Sequence, residues 1–127
     1  MNPYVVWLDS EHAKIFKLLP GGKSEQEVLK SGVRKDHHTG PSNQGSAHHQ
    51  AEEHFLHDLA GKLKPAVEVL VVGPGIAKSH FKHHLEKHHH SDLLKKVVAF
   101  ENMDHPTDGQ IVDMAHKFFK KYDIFAK

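Results

Sequence analysis

Cysteine is absent from this chain, which excludes disulfide bridges, thiolate zinc sites and cysteine nucleophiles together. Long apolar runs are missing as well. Charge or glycine interrupts each of them within about ten residues, too few to span a bilayer, and no membrane association is expected. The opening residues Met1-Asn2-Pro3-Tyr4 offer neither a charged leader nor a hydrophobic signal core. Secretion is therefore not expected, and a cytoplasmic location is the default. Net charge is nearly missing too: 17 Lys and Arg stand against 16 Asp and Glu, leaving +1. That balance gives little support for an anionic partner at neutral pH. Histidine changes the picture, because 15 of them are present and imidazole titrates near pH 6.5, so mild acidification makes the chain strongly cationic.

The remaining composition, 127 residues of which 38% are hydrophobic and 26% charged, is that of one soluble domain over residues 1–127 with a single ordinary core. Tyr4-Val5-Val6-Trp7-Leu8-Asp9 is a short apolar run closing in turn residues, and Ala13 to Leu18 is its partner strand. Pro20-Gly21-Gly22 ends that strand, and a more polar edge strand is expected from Gln26 to Val33. The segment from Arg34 to Gly45 has no large apolar residue and is expected to be a mobile loop. A helix is expected from Ser46, a good N-cap residue, with Ala51, Phe55, Leu56, Leu59 and Leu63 as its buried stripe. Val67 to Val72 is nearly continuous in β-branched residues, as in a central strand covered on both faces. After Gly73-Pro74-Gly75, a helix is expected with Ala77, Phe81 and Leu85 at fourfold spacing, then a strand over Leu94 to Phe100. Thr107 and Gln110 form a capping-box pattern for a last helix with Ile111, Met114, Ala115, Phe118 and Tyr122 inward. The order strand-strand-strand-helix-strand-helix-strand-helix predicts an α/β fold: a ribonuclease H-like mixed five-stranded sheet flanked by helices.

That architecture suggests a metal-dependent nuclease, which needs carboxylates converging on two divalent ions. Asp9 and either Glu52 or Glu53 are candidates for two of them. The fourth strand ends in Val72-Gly73-Pro74-Gly75 with no acid in reach, and Asp9 beside Ser10 is better explained as a turn residue. The nuclease reading fails.

The histidines are clustered, six between residues 37 and 57 and six between 80 and 90. His54 and His57 lie one helical turn apart with Glu53 alongside, a spacing suited to zinc, nickel or copper. His83 with His84, and His88-His89-His90, form a second, looser group. Glu53-His54-Phe55-Leu56-His57 lacks the histidine pair that brackets the glutamate in metalloproteases. A divalent metal at Glu53, His54 and His57 is thus the alternative functional reading, with zinc or nickel as cofactor; the primary reading carries none.

The primary reading rests on the order of several motifs. The basic run Arg34-Lys35-Asp36-His37-His38 precedes Gly40-Pro41-Ser42-Asn43-Gln44-Gly45-Ser46, which feeds a long helix. Val69-Leu70-Val71-Val72-Gly73-Pro74-Gly75 and Phe81-Lys82-His83-His84-Leu85 follow. This order, over nearly the whole chain, resembles the middle domain of archaeal and eukaryotic class I peptide chain release factors and of Pelota. It also looks like the small bacterial relatives of that domain, the translational machinery component-like family. The resemblance implies a translation-associated protein that binds the ribosome or structured RNA, and a separate protein that supplies the codon-reading and partner-binding domains. Arg34, Lys35, His37, His38, Asn43, Lys78, Lys82 and Lys87 are the candidate RNA-binding residues, cations of this kind contacting phosphates with little sequence preference. In the family a glycine-glycine-glutamine tip reaches the ester of peptidyl-tRNA. Gln44 matches the glutamine by position and is the one catalytic candidate, while Ser42 and Asn43 replace the glycines. Weak or no peptidyl-tRNA hydrolysis is the corresponding expectation.

Overall fold

Two apolar strands, buried on both of their faces, organise the molecule. The computed structural model describes residues 2–31, 41–88 and 90–126, and side chains over 2–31, 51–88 and 90–122. Strands β1 (Tyr4–Leu8), β2 (His12–Leu19) and β3 (Lys23–Lys30) form an antiparallel meander. Helix α1 (Pro41–Leu63) leads to strand β4 (Val69–Gly73), and α2 (Ala77–Lys87) and α3 (Ser91–Lys96) precede β5 (Val97–Asn102). Helix α4 (Asp108–Ala126) closes the order. The sheet runs β3-β2-β1-β4-β5, with β1/β4 and β4/β5 parallel. The expected ribonuclease H-like, mixed five-stranded architecture is borne out.

Side chains alternate across each strand, so β1 and β4 each feed two cores. On one face Val6, Leu8, Ile15, Val69 and Val71 meet Phe55, Leu59 and Leu63 of α1, Phe81 and Leu85 of α2, and Leu93 of α3. On the other, Val5, Trp7, Phe16, Leu18, Leu70 and Val72 meet Ile111, Ala115 and Phe119 of α4. Each fully buried side chain of this size stabilises by roughly 1.5–3 kcal/mol before conformational entropy is counted. Among the described residues no helix is long and apolar enough to cross a membrane.

Local chemistry explains the boundaries. Asp9 Oδ1 accepts hydrogen bonds from the backbone N–H groups of Glu11 (2.8 Å) and His12 (2.7 Å), fixing the β1–β2 turn. Thr107 N–H donates to Gln110 Oε1 at 2.9 Å while Gln110 N–H donates to Thr107 Oγ1 at 3.1 Å, the reciprocal capping box expected for α4. The β4 end requires glycine: Gly73 has φ +149°, and a Cβ there would lie 2.0 Å from the Leu8 carbonyl oxygen.

Several boundaries differ from expectation. β3 starts at Lys23, directly after Pro20–Gly22, and stops at Lys30, because the two glycines turn the chain at once with φ of 79° and 76°. α1 starts at Pro41 rather than Ser46; proline suits a first helical position, where its missing N–H leaves nothing unsatisfied. The remainder of the expected loop lies outside the described residues. The fourth strand starts at Val69, leaving Val67 exposed. Leu93 and Leu94 belong to the short helix α3, so β5 starts only at Val97. On α4 the row Ile111, Ala115, Phe119 is buried, whereas Met114, Phe118 and Tyr122 flank it half-buried. Ala51 likewise flanks the α1 stripe.

Candidate functional site

The polar seam between α1 and α2 is the most concentrated chemistry in the described structure. Helical geometry places residues four apart on one face, so Glu53 and His57 of α1 line up opposite His80, His84 and His88 of α2. Glu52 Oε2 meets His80 Nδ1 at 3.2 Å, and Glu53 Oε2 meets both His84 Nδ1 at 3.1 Å and His88 Nε2 at 2.9 Å. The α2–α3 turn then folds back: His90 N–H donates to the Leu85 carbonyl at 2.9 Å. That bond returns the His90 ring to within 5.9 Å of His84 and 6.1 Å of His57, centroid to centroid. Two sets of three potential ligands result, His57/His84/His90 and Glu53/His84/His88, the ligand atoms in each set lying within 4.8 Å of one another.

His84 belongs to both sets and is only 3% exposed. Burial pushes its imidazole below the ordinary value, and the charge of Glu53 only partly opposes this. His90 is lowered as well, by burial first and then by His57 and His88. For Glu53, burial works against the charged form, but the His88 hydrogen bond and the charges of His84 and Lys87 outweigh it and hold the carboxyl low. An ionised carboxylate can only accept, so His84 Nδ1 and His88 Nε2 must both carry protons. The other nitrogen of His84, Nε2, is buried without a hydrogen-bond partner. Such an orphan costs roughly 1–3 kcal/mol in a folded protein.

This arrangement divides the expected metal trio. Glu53 and His57 both face α2, but His54 is exposed on α1 and joins neither set. The group around His84 and His88 is not a second site either, since it meets Glu53 and His57 in one seam. The signal for this was present as the fourfold spacing His80-His84-His88. Asp9 enters no ligand set among the described residues, its Oδ1 being held in the β1–β2 turn.

The expected RNA-binding residues separate too. Arg34, Lys35, His37 and His38 lie outside the described residues. Asn43 and Gln44 fall in the first turns of α1 rather than in a loop, and their side chains are outside the described set. Lys78 is a correction: it is 7% exposed, and its Nζ donates to the carbonyls of Gly73 at 2.7 Å and Gly75 at 3.0 Å. It braces the β4–α2 turn and is not open to a phosphate. Lys82, 5.9 Å from the Phe100 ring centroid, and Lys87 remain exposed on α2.

No family model matches the sequence and no curated protein does. Solved structures do match. The Pelota protein of Archaeoglobus fulgidus superposes with a TM-score of 0.60 at 16% identity, over 91% of this chain and 31% of that one. The Pelota protein of Thermoplasma acidophilum gives 0.57 at 20% identity, over 87% and 30%. S. cerevisiae Dom34, described as a translation termination-like factor involved in RNA quality control pathways and interacting with Hbs1, gives 0.51 at 11% identity over 80% and 28%. The chain thus spans under a third of the length of each of these structures. At such identities the likeness is one of fold, and the fold of this chain is Pelota-like.

Proposed function

We propose that this chain is a bacterial-type relative of the Pelota middle domain that serves translation in the cytoplasm. In this reading it binds the ribosome or structured RNA, and a separate protein supplies the remaining domains. The observation that carries the reading is the fold match to two Pelota proteins over 87% and 91% of the chain, joined to the yeast neighbour's description as a termination-like factor. The proposed contact surface consists of Arg34, Lys35, His37, His38 and Asn43, continued by Lys82 and Lys87 on α2. Lys78 is removed from it by burial.

Hydrolysis of peptidyl-tRNA is weak or nil in this reading. A glutamine tip must bring its backbone close to the ester, and a misplacement of about one ångström costs on the order of a hundredfold in rate. Gln44 is preceded by Ser42 and Asn43 and lies within the helical span of α1, which restricts that approach.

Co-sedimentation with ribosomes across a salt series tests the proposal. Binding is expected to weaken with salt, and the Lys82→Glu/Lys87→Glu pair is expected to lower the logarithmic salt slope by about one for each phosphate that is no longer neutralised. Failure of the natural chain to pellet with ribosomes or to bind structured RNA would overturn the reading. Robust peptide release abolished by Gln44→Ala would overturn the part concerning hydrolysis.

A further inference from the structure

We propose that His57, His84 and His90 bind a divalent transition-metal ion of the zinc type between α1 and the α2–α3 turn, with Glu53 as the outer acceptor that orients His84. The inference is independent of any role in translation. It starts from one atom. His84 Nδ1 is committed to Glu53, so the lone pair of this ring resides on Nε2, and Nε2 is the buried nitrogen that no protein group satisfies. A histidine whose far nitrogen donates to a carboxylate while its near nitrogen stays unprotonated is the arrangement that metal-ligating histidines adopt.

The other two ligands are positioned by different means. His90 is fixed by the backbone bond to Leu85 that closes the turn. His57 is exposed on α1, its ring centroid 6.1 Å from that of His90. Nitrogens about 2.0–2.1 Å from a shared zinc lie about 3.4 Å apart, so the present 4.8 Å limit asks for a closure of little more than an ångström. Three imidazoles without thiolate select zinc, nickel or copper over magnesium or calcium, and leave a fourth position for water or an added ligand. In the competing set, Glu53/His84/His88, the carboxylate already engages His84 Nδ1 and His88 Nε2 in hydrogen bonds.

The test is zinc titration of the full metal-free chain in competition with a chromogenic chelator, with melting temperature recorded in parallel. One equivalent is expected to bind tightly and to raise the melting temperature. His57→Ala and His90→Ala, both outside the buried core, should each weaken binding at least tenfold and abolish the zinc-dependent rise. Glu53→Gln should weaken it about 10–100-fold, as loss of an outer-shell partner does. His54→Ala and His83→Ala, which alter exposed histidines outside the set, should leave the constant unchanged. The assignment is overturned if the His57→Ala/His90→Ala double variant binds one equivalent as tightly as the natural chain. It is equally overturned if His88→Ala removes binding while that double variant does not. Weak uptake of several equivalents, reduced alike by every histidine substitution, would also refute it by showing only a histidine-rich surface.

Discussion

Lys78 shows how residue type alone misleads. In sequence it is one more cation on a basic helix, and its spacing from Lys82 suggests an exposed stripe. Four residues is also the spacing of the inward row of half-buried Ala77 and buried Phe81 and Leu85, and Lys78 stands next to it, close enough to reach the end of β4. Its flexible stem brings two donors to the β4–α2 turn: one to the Gly73 carbonyl, which also accepts from the Met103 N–H at 3.1 Å, and one to the Gly75 carbonyl. Replacing it with methionine keeps the stem and removes the ammonium from both carbonyls, leaving Gly73 its Met103 partner. Lys78→Met is expected to cost about 1–3 kcal/mol, measured by urea denaturation, with no change in ribosome co-sedimentation. A change in binding without a change in stability would return Lys78 to the contact surface. His84 was visible as a histidine but not as a buried one, because what buries it is the docking of α1, which no local pattern reports.

At the scale of elements, those with two independent signals were legible and those with one were not. β1, β4 and α4 combined an apolar period with turn or capping chemistry, and all three stand where the sequence puts them, to within two residues. β3 is polar and offers no period, so only the position of Gly21-Gly22 marks its start. α3 is six residues long, too short to show a helical period, and its Leu93-Leu94 pair imitates the beginning of a strand. The packing of α4 on the meander adds a contact that is long-range in sequence: Asp108 accepts from Lys14 Nζ and Gln26 Nε2, both at 3.0 Å. The hydrogen bonds from Lys14 and Gln26 hold its carboxyl below the ordinary value. A lowered folded-state pKa means a contribution fully present above the unfolded value and lost as pH falls through the carboxylate range. The side chain is 46% exposed, so the effect is small, on the order of 1 kcal/mol or less at neutral pH. Asp108→Asn is therefore expected to destabilise slightly at pH 7 and to flatten the acid side of the stability profile. Denaturation midpoints measured from pH 7 to pH 3 would decide it; equal acid slopes in the two proteins would contradict the argument.

For the whole molecule, the sheet separates two apolar cores that share only the backbone of the strands between them. Ile15 lies on the α1–α2 face and Ile111 on the α4 face. Their side chains have no packing partners in common. Ile15→Val and Ile111→Val are each expected to cost about 0.5–1.5 kcal/mol. The double variant should equal their sum within about 0.3–0.5 kcal/mol, as read from two-state denaturation curves. A coupling well beyond that would mean that the strands transmit strain between the layers. The order of elements was enough to foresee this two-sided plan, because parallel strands joined by helices must be covered twice. The histidine seam was not foreseeable in the same way. Spacing within α1 pointed to His54 with His57, whereas the ligands that meet His57 come from α2 and the turn beyond it. Which residues of two helices oppose one another depends on their docking register, set by Phe55, Leu59, Phe81 and Leu85 in the core beneath.

β3 forms one border of the sheet, and its unpaired rim is where a second chain would add a strand. Lys23, Glu25, Glu27 and Lys30 place charges of both signs along it, and Lys62 of α1 reaches across to Glu27 at 2.7 Å. An incoming strand would have to match that pattern of charge or strip its hydration, and an arbitrary apolar segment does neither. The same polarity that hid β3 from an apolar period makes it a gatekeeper against fibril-type stacking at this border of the sheet.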